Sequence, residues 1–582
     1  MVDHLAKEAL VNIIIIKQAV VALMLMLILS CCSSDENPLG ADMVLAGGAI
    51  YTIDPANPWA EAVAIRDGKI VYVGDTTGAS AFTTEKTQVV ELNGRMLMPG
   101  MHDAHIHPIM GGLEILSCGL HELKTLQQYL EKIALCASEH PERPWIRGGG
   151  WSMAVFGPGA LANKELLDSV VPDRPVYLAS ADGHSGWVNS RALALAGLDA
   201  GTANPVGGII DRDANTGELI GSLQEQSAMD LVAGVIPMAT DAEHDAALRY
   251  AVNMLSAYGI TGIQDAWIRD EEELRTYQRL QEEGELNVRV VASLYWEPSK
   301  GLKQLDAMKI LREQFSKDLF QVTTVKIMQD GVMENYTAVL TEPYLLEEET
   351  LGIPMLEPEI LKEAVTAIDS AGFQVHFHAI GDGAIQQSLD AIEFAIQSNG
   401  SNDNHHHISH LQLINPVDIR RFAELNVTAN FQPLWAFPDE YITELTDPFI
   451  GHERSGWHYA IGSVLRAGGK VAFGSDWTVS SANPFEQIEV AITRADPLGD
   501  TDQVLLPQER ISLEDALQAF TLNAAFVNHL EEQTGSIEVG KQADLALLDQ
   551  NLFRVAPEAI SDTKVLLTLF EGKVVYGHLD GL

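Results

Sequence analysis

The sequence predicts an α/β chain: a (β/α)8 TIM barrel, a small β-sandwich domain made from both chain ends, and an insertion after the first barrel strand. Three observations predict it. Eight short apolar runs alternate with amphipathic stretches through the middle of the chain. Turn-punctuated strand patterns near the start are echoed near the end. The gap between the first two apolar runs is too long for one helix.

The ends come first. Residues 42–53 read as a strand. Residues 62–73 carry the turn Arg66-Asp67-Gly68-Lys69, and residues 87–98 carry Asn93-Gly94. Residues 543–548 and 565–576 are strand-like, and 570–577 resembles 65–74. Neither end has enough apolar strand to close a core alone. They are expected to pair as one domain, residues 42–98 with 530–582. Between them, residues 99–529 hold the expected barrel. Its strands are placed at 98–107, 262–266, 289–295, 323–328, 374–378, 407–410, 428–431 and 471–476, with helical patterns such as 362–370 and 385–396. The insertion is placed at about 117–232.

Residues 1–40 are different. Lys7 and Lys17 flank an isoleucine run, and residues 19–29 are uninterrupted and apolar. This is shorter than the roughly 20 residues that span a bilayer, and it suits a signal peptide over residues 1–30. The segment resembles a bacterial lipoprotein signal, with Ile28-Leu29-Ser30-Cys31 as the lipobox and residues 31–41 as linker. Cys31 is then the lipidation site. The expected location is exported: periplasmic, or anchored to the membrane through acyl chains. A plain secretory signal cut near Ser30, or an uncleaved anchor, is the alternative.

Composition narrows the function. The 582 residues include 37 Lys plus Arg against 81 Asp plus Glu, a formal net charge of −44. Phosphate backbones need a basic patch, so nucleic acid is excluded as a partner. Anionic lipid surfaces are disfavoured for the same reason. The four cysteines cannot build a disulfide scaffold. Cys118 and Cys136 could form a disulfide in an oxidising compartment. Two buried thiols are the preferred expectation, because nothing in the sequence sets their separation.

The chemistry concentrates at strand ends. His105 and His107 are two apart on a strand, so both side chains point to one face and can reach one metal. His378, His410 and Asp476 each end a predicted barrel strand, at the rim where such barrels carry their sites. Lys326 interrupts an apolar strand, which is costly unless the amine is modified, paired or functional. His102 lies three before His105 and is expected to face away. His376 shares the face of His378 and is expected to be packed, with a supporting hydrogen bond as the alternative. His405, His406 and His407 are expected near the barrel bottom or in solvent. Asp382 is expected to cap the helix that follows it. Gly148-Gly149-Gly150 lacks a dinucleotide fingerprint. No Ser or Cys nucleophile has a matched base.

Taken in order, several blocks carry a specific resemblance: residues 99–107, 174–193, 217–225, 326–344, 376–382, 408–412, 474–484 and 534–549. The chain resembles the amidohydrolase superfamily, and within it the amidohydrolase family 3 (YtcJ-like) metal-dependent hydrolases, over nearly all of residues 42–582. The resemblance implies that His105, His107 and Asp476 bind a first divalent metal. It implies that His378 and His410 bind a second, with Lys326 as an N-carboxylated bridge. Asp476 would also be the general base, and His410 would stand beside it in catalysis. Zinc, Zn2+, suits these donors, one or two ions per subunit. The implied reaction is hydrolysis of a C–N amide-type bond in an N-acyl, N-formyl or cyclic amide by water that the metal activates. Trp151, Asp182, His184, Trp187 and Trp477 are candidate pocket residues, with Trp435 a further aromatic. Thr478 stands where the family often has proline. The alternatives are the same centre acting on a lactone or phosphoester, or a catalytically silent binding lipoprotein. The expected partner is a small-molecule amide, and a homodimer is the working expectation for assembly.

Overall fold

A computed structural model describes residues 40–158, 161–347, 349–499 and 503–579. The signal segment 1–30, Cys31 and most of the linker lie outside the described residues. Eight parallel strands form the central sheet: Met101–Ile106, Ile260–Ile268, Arg289–Tyr295, Phe320–Met328, Gln374–Ala379, His407–His410, Thr428–Phe431 and Val471–Phe473. Each pairs with the next in chain order, and helices cover the outside. Outward residues such as Val325, Ile327, Val375, Phe377 and Ile408 are fully buried beneath those helices. That two-sided burial is why these strands read as apolar runs.

The seam between the last and first strands has no ladder. It is closed by single bonds: Asp476 N to His105 O at 2.7 Å, His107 N to Trp477 O at 3.1 Å, and Asn430 Nδ2 to Ala104 O at 3.0 Å. Gly474 permits this approach. A Cβ there would lie 2.5 Å from the His105 nitrogen.

The barrel interior is polar, where aliphatic layers are usual. Near its floor, Gln264 Nε2 donates to Gln374 Oε1 at 2.9 Å, and Thr324 Oγ1 donates to the same oxygen at 2.8 Å. His407 Nε2 meets Gln264 Oε1 at 2.8 Å. Buried polar atoms survive by pairing, and this network pairs them. His405, His406 and His407 are all buried here, not in solvent. His406 bonds Asp369, and His405 stacks on Phe526 and His529. His102 is fully buried against Gly262, whose absent Cβ makes room for the ring.

Both chain ends meet in one mixed sheet of eight strands. The C-terminal strands Leu545–Leu548, Val565–Phe570 and Lys573–Gly577 join it through Met96–Pro99, and Met43–Tyr51 and its neighbours complete it. It is a single hydrogen-bonded sheet, where two facing sheets were expected. Its far edge returns to the chain before Leu545, with Ile70 N bonded to Lys541 O at 2.9 Å. The roll encloses Leu45, Val63, Leu545, Leu547 and Leu567 in one core.

A third sheet of six strands spans Cys118–Gly119 to Leu219–Gln224. Two expectations fail here. Cys118 and Cys136 are a disulfide, not free thiols. The strand at Cys118 packs on the helix Leu126–Glu139, which brings the two sulfurs together. The link closes a loop with a sequence separation of 18, and in the chain-entropy account such a loop contributes about 3 kcal/mol. Trp151 and Trp187 do not line a pocket. Both are fully buried in this unit's core, with their indole N–H groups donated to Leu178 O and Asn163 O.

Candidate metal centre

The strand ends deliver the donors. His105 Nε2 lies 3.4 Å, and His107 Nε2 2.9 Å, from Asp476 Oδ1. Donor atoms of these three residues all fall within 4.8 Å of one another. His410 Nδ1 is 3.7 Å from Asp476 Oδ2. The His410 ring is 4.6 Å from that of His105 and 4.5 Å from that of His378. Lys326 is 1% exposed, and its Nζ sits 3.5 Å from His376 Nε2.

Backbone strain helps place two of these groups. Regular alternation would turn His410 outward with Ile408. Its φ of 79°, followed by 55° at Leu411, swings the ring back over the barrel mouth. Asp476 has φ 54°. Left-handed φ is uncommon outside glycine, although Asp and His adopt it more readily than most, and non-glycine examples cluster at functional sites.

His376 is not merely packed. Its Nε2 lies 2.8 Å from His105 Nδ1 and 2.9 Å from Ser409 Oγ. It therefore orients the His105 ring and leaves Nε2 of His105 facing Asp476. Asp382 also departs from expectation. The helix Asp382–Asn399 is entered through Gly381, and the Asp382 carboxylate instead accepts the Thr341 N–H at 3.1 Å and the Thr341 hydroxyl.

These residues fit a divalent cation. Burial, then the charge of Lys326, holds His105 down to about 3. Burial also holds His378 and His410 well below the usual imidazole range. Neutral imidazoles keep a lone pair for a metal. Burial pushes Asp476 up, but the adjoining His105 and His107 rings outweigh it and keep the carboxyl ionised. Burial lowers Lys326 to about 7, against the pull of Asp476, so the free amine is accessible near neutrality. Asp476 Oδ1, His107 Nδ1 and His410 Nδ1 are buried with no hydrogen-bond partner. Asp476 Oδ1 and His107 Nε2 are close without hydrogen-bond geometry, as atoms sharing a cation are.

The walls come from other elements. His184 Nδ1 lies 2.7 Å from Glu225 Oε2, and the His184 ring is 5.0 Å from that of His378. Trp435 stacks on His410 at 5.4 Å. Trp477 is nearly buried beside His107, and Asp182 braces the turn that carries His184. Sequence reasoning did not single out Glu225 or Gln432. Glu225 ends the family-like stretch 217–225. Gln432 has the inward parity of Asn430, two residues on, and both its side-chain amide atoms are buried and unpartnered.

Comparison with known proteins gives the family. Protein LONG AFTER FAR-RED 3 of Arabidopsis thaliana is 31% identical, covering 97% of both chains. YtcJ of Bacillus subtilis is 28% identical, covering 91% of this chain and 98% of its own. N-substituted formamide deformylase of Arthrobacter pascens is 25% identical, covering 92% and 98%. Among solved structures, an uncharacterised metal-dependent hydrolase from Pyrococcus furiosus superposes with a TM-score of 0.66 at 25% identity, covering 88% and 99%. The model of the amidohydrolase family matches residues 88–576. The chain belongs to the amidohydrolase family.

Proposed function

We propose that the protein is a divalent-metal-dependent hydrolase of a C–N amide-type bond, in an N-acyl, N-formyl or cyclic amide. One observation carries this reading. Two imidazoles and a carboxylate converge at the strand-end rim, with buried donor atoms that no group among the described residues satisfies. The Arthrobacter pascens relative, a deformylase of N-substituted formamides, supports the choice of bond. The Pyrococcus furiosus relative supports the dependence on metal.

His105, His107 and Asp476 would hold the first ion. His378 and His410 would hold a second, with Lys326 between them as its carbamate. Zinc is the ion we propose from the nitrogen and oxygen donors. A bound ion would acidify an attacking water and polarise the substrate carbonyl. Asp476 is placed to take the water's proton and return it to the leaving nitrogen. His376 holds the His105 ring in one orientation. Trp435 walls the site beside His410, and His184 closes it beside His378.

Metal analysis and a hydrolysis panel test the reading. We expect one or two equivalents of divalent metal in the purified protein. We expect turnover of an N-formyl or N-acyl amide that chelation abolishes and Zn2+ restores. Turnover confined to lactones or phosphoesters would replace the amide assignment. Absence of stoichiometric metal, together with no turnover, would favour a silent binding protein.

We further propose that the chain is an exported lipoprotein anchored at Cys31. The Cys118–Cys136 disulfide supports an oxidising compartment. Mass spectrometry of the mature N-terminus should find acylated Cys31, and an unmodified terminus would refute the anchor.

A further inference from the structure

Beyond His378, three elements meet at the mouth of the site. The loop after the fourth barrel strand carries Gly331, whose carbonyl lies 3.2 Å from His378 Nε2. Asn335 and Thr337 tie this loop to the insertion. Asn335 Nδ2 donates to Ser185 Oγ at 3.1 Å, and Thr337 Oγ1 donates to Glu225 Oε1 at 2.5 Å. The loop after the seventh strand is tied in by Tyr441, whose hydroxyl accepts the Met153 N–H at 3.1 Å.

Four carboxylates gather there: Asp182, Glu225, Glu334 and Asp439. Glu225 is committed to His184 and Thr337. Asp439 Oδ1 accepts the Ile442 N–H at 3.0 Å. Asp182 Oδ1 accepts the Ser180 hydroxyl and the His184 N–H, but its Oδ2 is buried with no partner. Glu334 is 7% exposed, and no side chain or backbone group of another described residue bonds its carboxylate. Burial, then the charges of Asp182 and Asp439, hold its proton on up to about 8 while no substrate cation is seated beside it. A cation seated there would displace that proton to solvent. His184 is its cationic neighbour. His184 is already paired with Glu225. The surplus is of acid, and among the described residues the Glu334 carboxyl has no partner beyond its own backbone N–H, while Asp182 Oδ2 has none. Buried carboxyl groups are kept in native chains where something satisfies them.

We propose that Glu334, aided by Asp182 and Asp439, receives a cationic group of the substrate, an ammonium or guanidinium remote from the scissile amide. This rests on the amide-hydrolase reading above and specifies its substrate class: amides that carry a basic substituent. His184 is the positioning residue between the two subsites. Its Nδ1 is held by Glu225, so its ring stays against His378 and separates the acid pocket from the metal donors.

The test uses a matched pair, N-formyl-1,5-diaminopentane and N-formylpentylamine, with the metal-loaded protein. Turnover and calorimetric binding are read separately. We expect kcat/KM and affinity to favour the cationic member by about tenfold or more, through KM and not kcat. In Glu334→Gln the preference should collapse towards one. Asp439→Asn should weaken it in the same direction and serves if the first variant misfolds. Glu283→Gln, an exposed acid far from the site, should keep it. Equal binding of both members by the wild type, or a preference that survives both variants, would overturn the receptor. If the cationic member binds preferentially but neither is hydrolysed, the receptor stands and the amide-hydrolase reading falls. If both are hydrolysed alike, the reverse holds.

Discussion

Asp476→Asn is expected to lower kcat by on the order of 10^3-fold with zinc in excess, roughly 4 kcal/mol of transition-state stabilisation. The substitution changes one atom and removes one charge. Folding should survive it for two reasons. The backbone bonds at this residue, Asp476 N to His105 O and Val479 N to Asp476 O, do not involve the side chain. Asparagine also tolerates the left-handed φ of 54° as well as aspartate does. What is lost is the carboxylate charge beside His105 and His107, and with it the proposed carrier of the proton. The measurement is kcat under saturating metal, with a thermal melt beside it. A folded variant within tenfold of wild-type kcat would remove the base role from Asp476.

Lys326 is the second test, and it moves stability and activity in opposite directions. The amine is buried in the barrel, and among the described residues its one hydrogen-bonding contact is His376 Nε2 at 3.5 Å. Lys326→Met fills nearly the same volume without a polar head. In metal-free protein it should stabilise the fold by roughly 1–4 kcal/mol, because burying an amine with so few partners is costly. Activity should fall by about 10^3-fold if the residue bridges metals as a carbamate. Lys326→Ala leaves space there, and formate or acetate should restore part of the turnover by supplying the missing oxygen donors. A Lys326→Met enzyme with wild-type kcat would show the amine to be a packed group only. Absence of rescue with retained metal would argue for a direct role of the amine.

Much of the site's placement was legible because strand ends obey parity. His105 and His107 share a face at a spacing of two, and Lys326 stands out against Val325 and Ile327. Parity also misleads where the backbone is strained. It would send His410 outward, and only its left-handed φ returns it. The barrel strands were legible because both faces are covered, so they read as apolar runs. The small domain was less so. Its strands were visible, but their joining into one sheet depends on pairing Met96–Pro99 with Leu545–Leu548, more than 400 residues apart. Nothing local encodes that partner.

The residues that escaped share one cause. Glu225 acts through His184 and Thr337 on other elements, and the bond of His376 to His105 likewise depends on a remote strand. Trp151 and Trp187 looked like pocket aromatics, yet the insertion uses them as core. Cys118 and Cys136 carry no spacing rule, and the packing of a helix on a strand decides their bond.

The barrel, the family and the metal-donor candidates are legible in the chain before it folds. Those follow from local periodicity and from residue types at strand ends. Tertiary structure alone decided which donors converge, which histidine orients His105, and which carboxylates are left unpaired at the mouth. Those depend on distances between segments that are remote in the chain, and on the burial that makes an unpaired charge expensive.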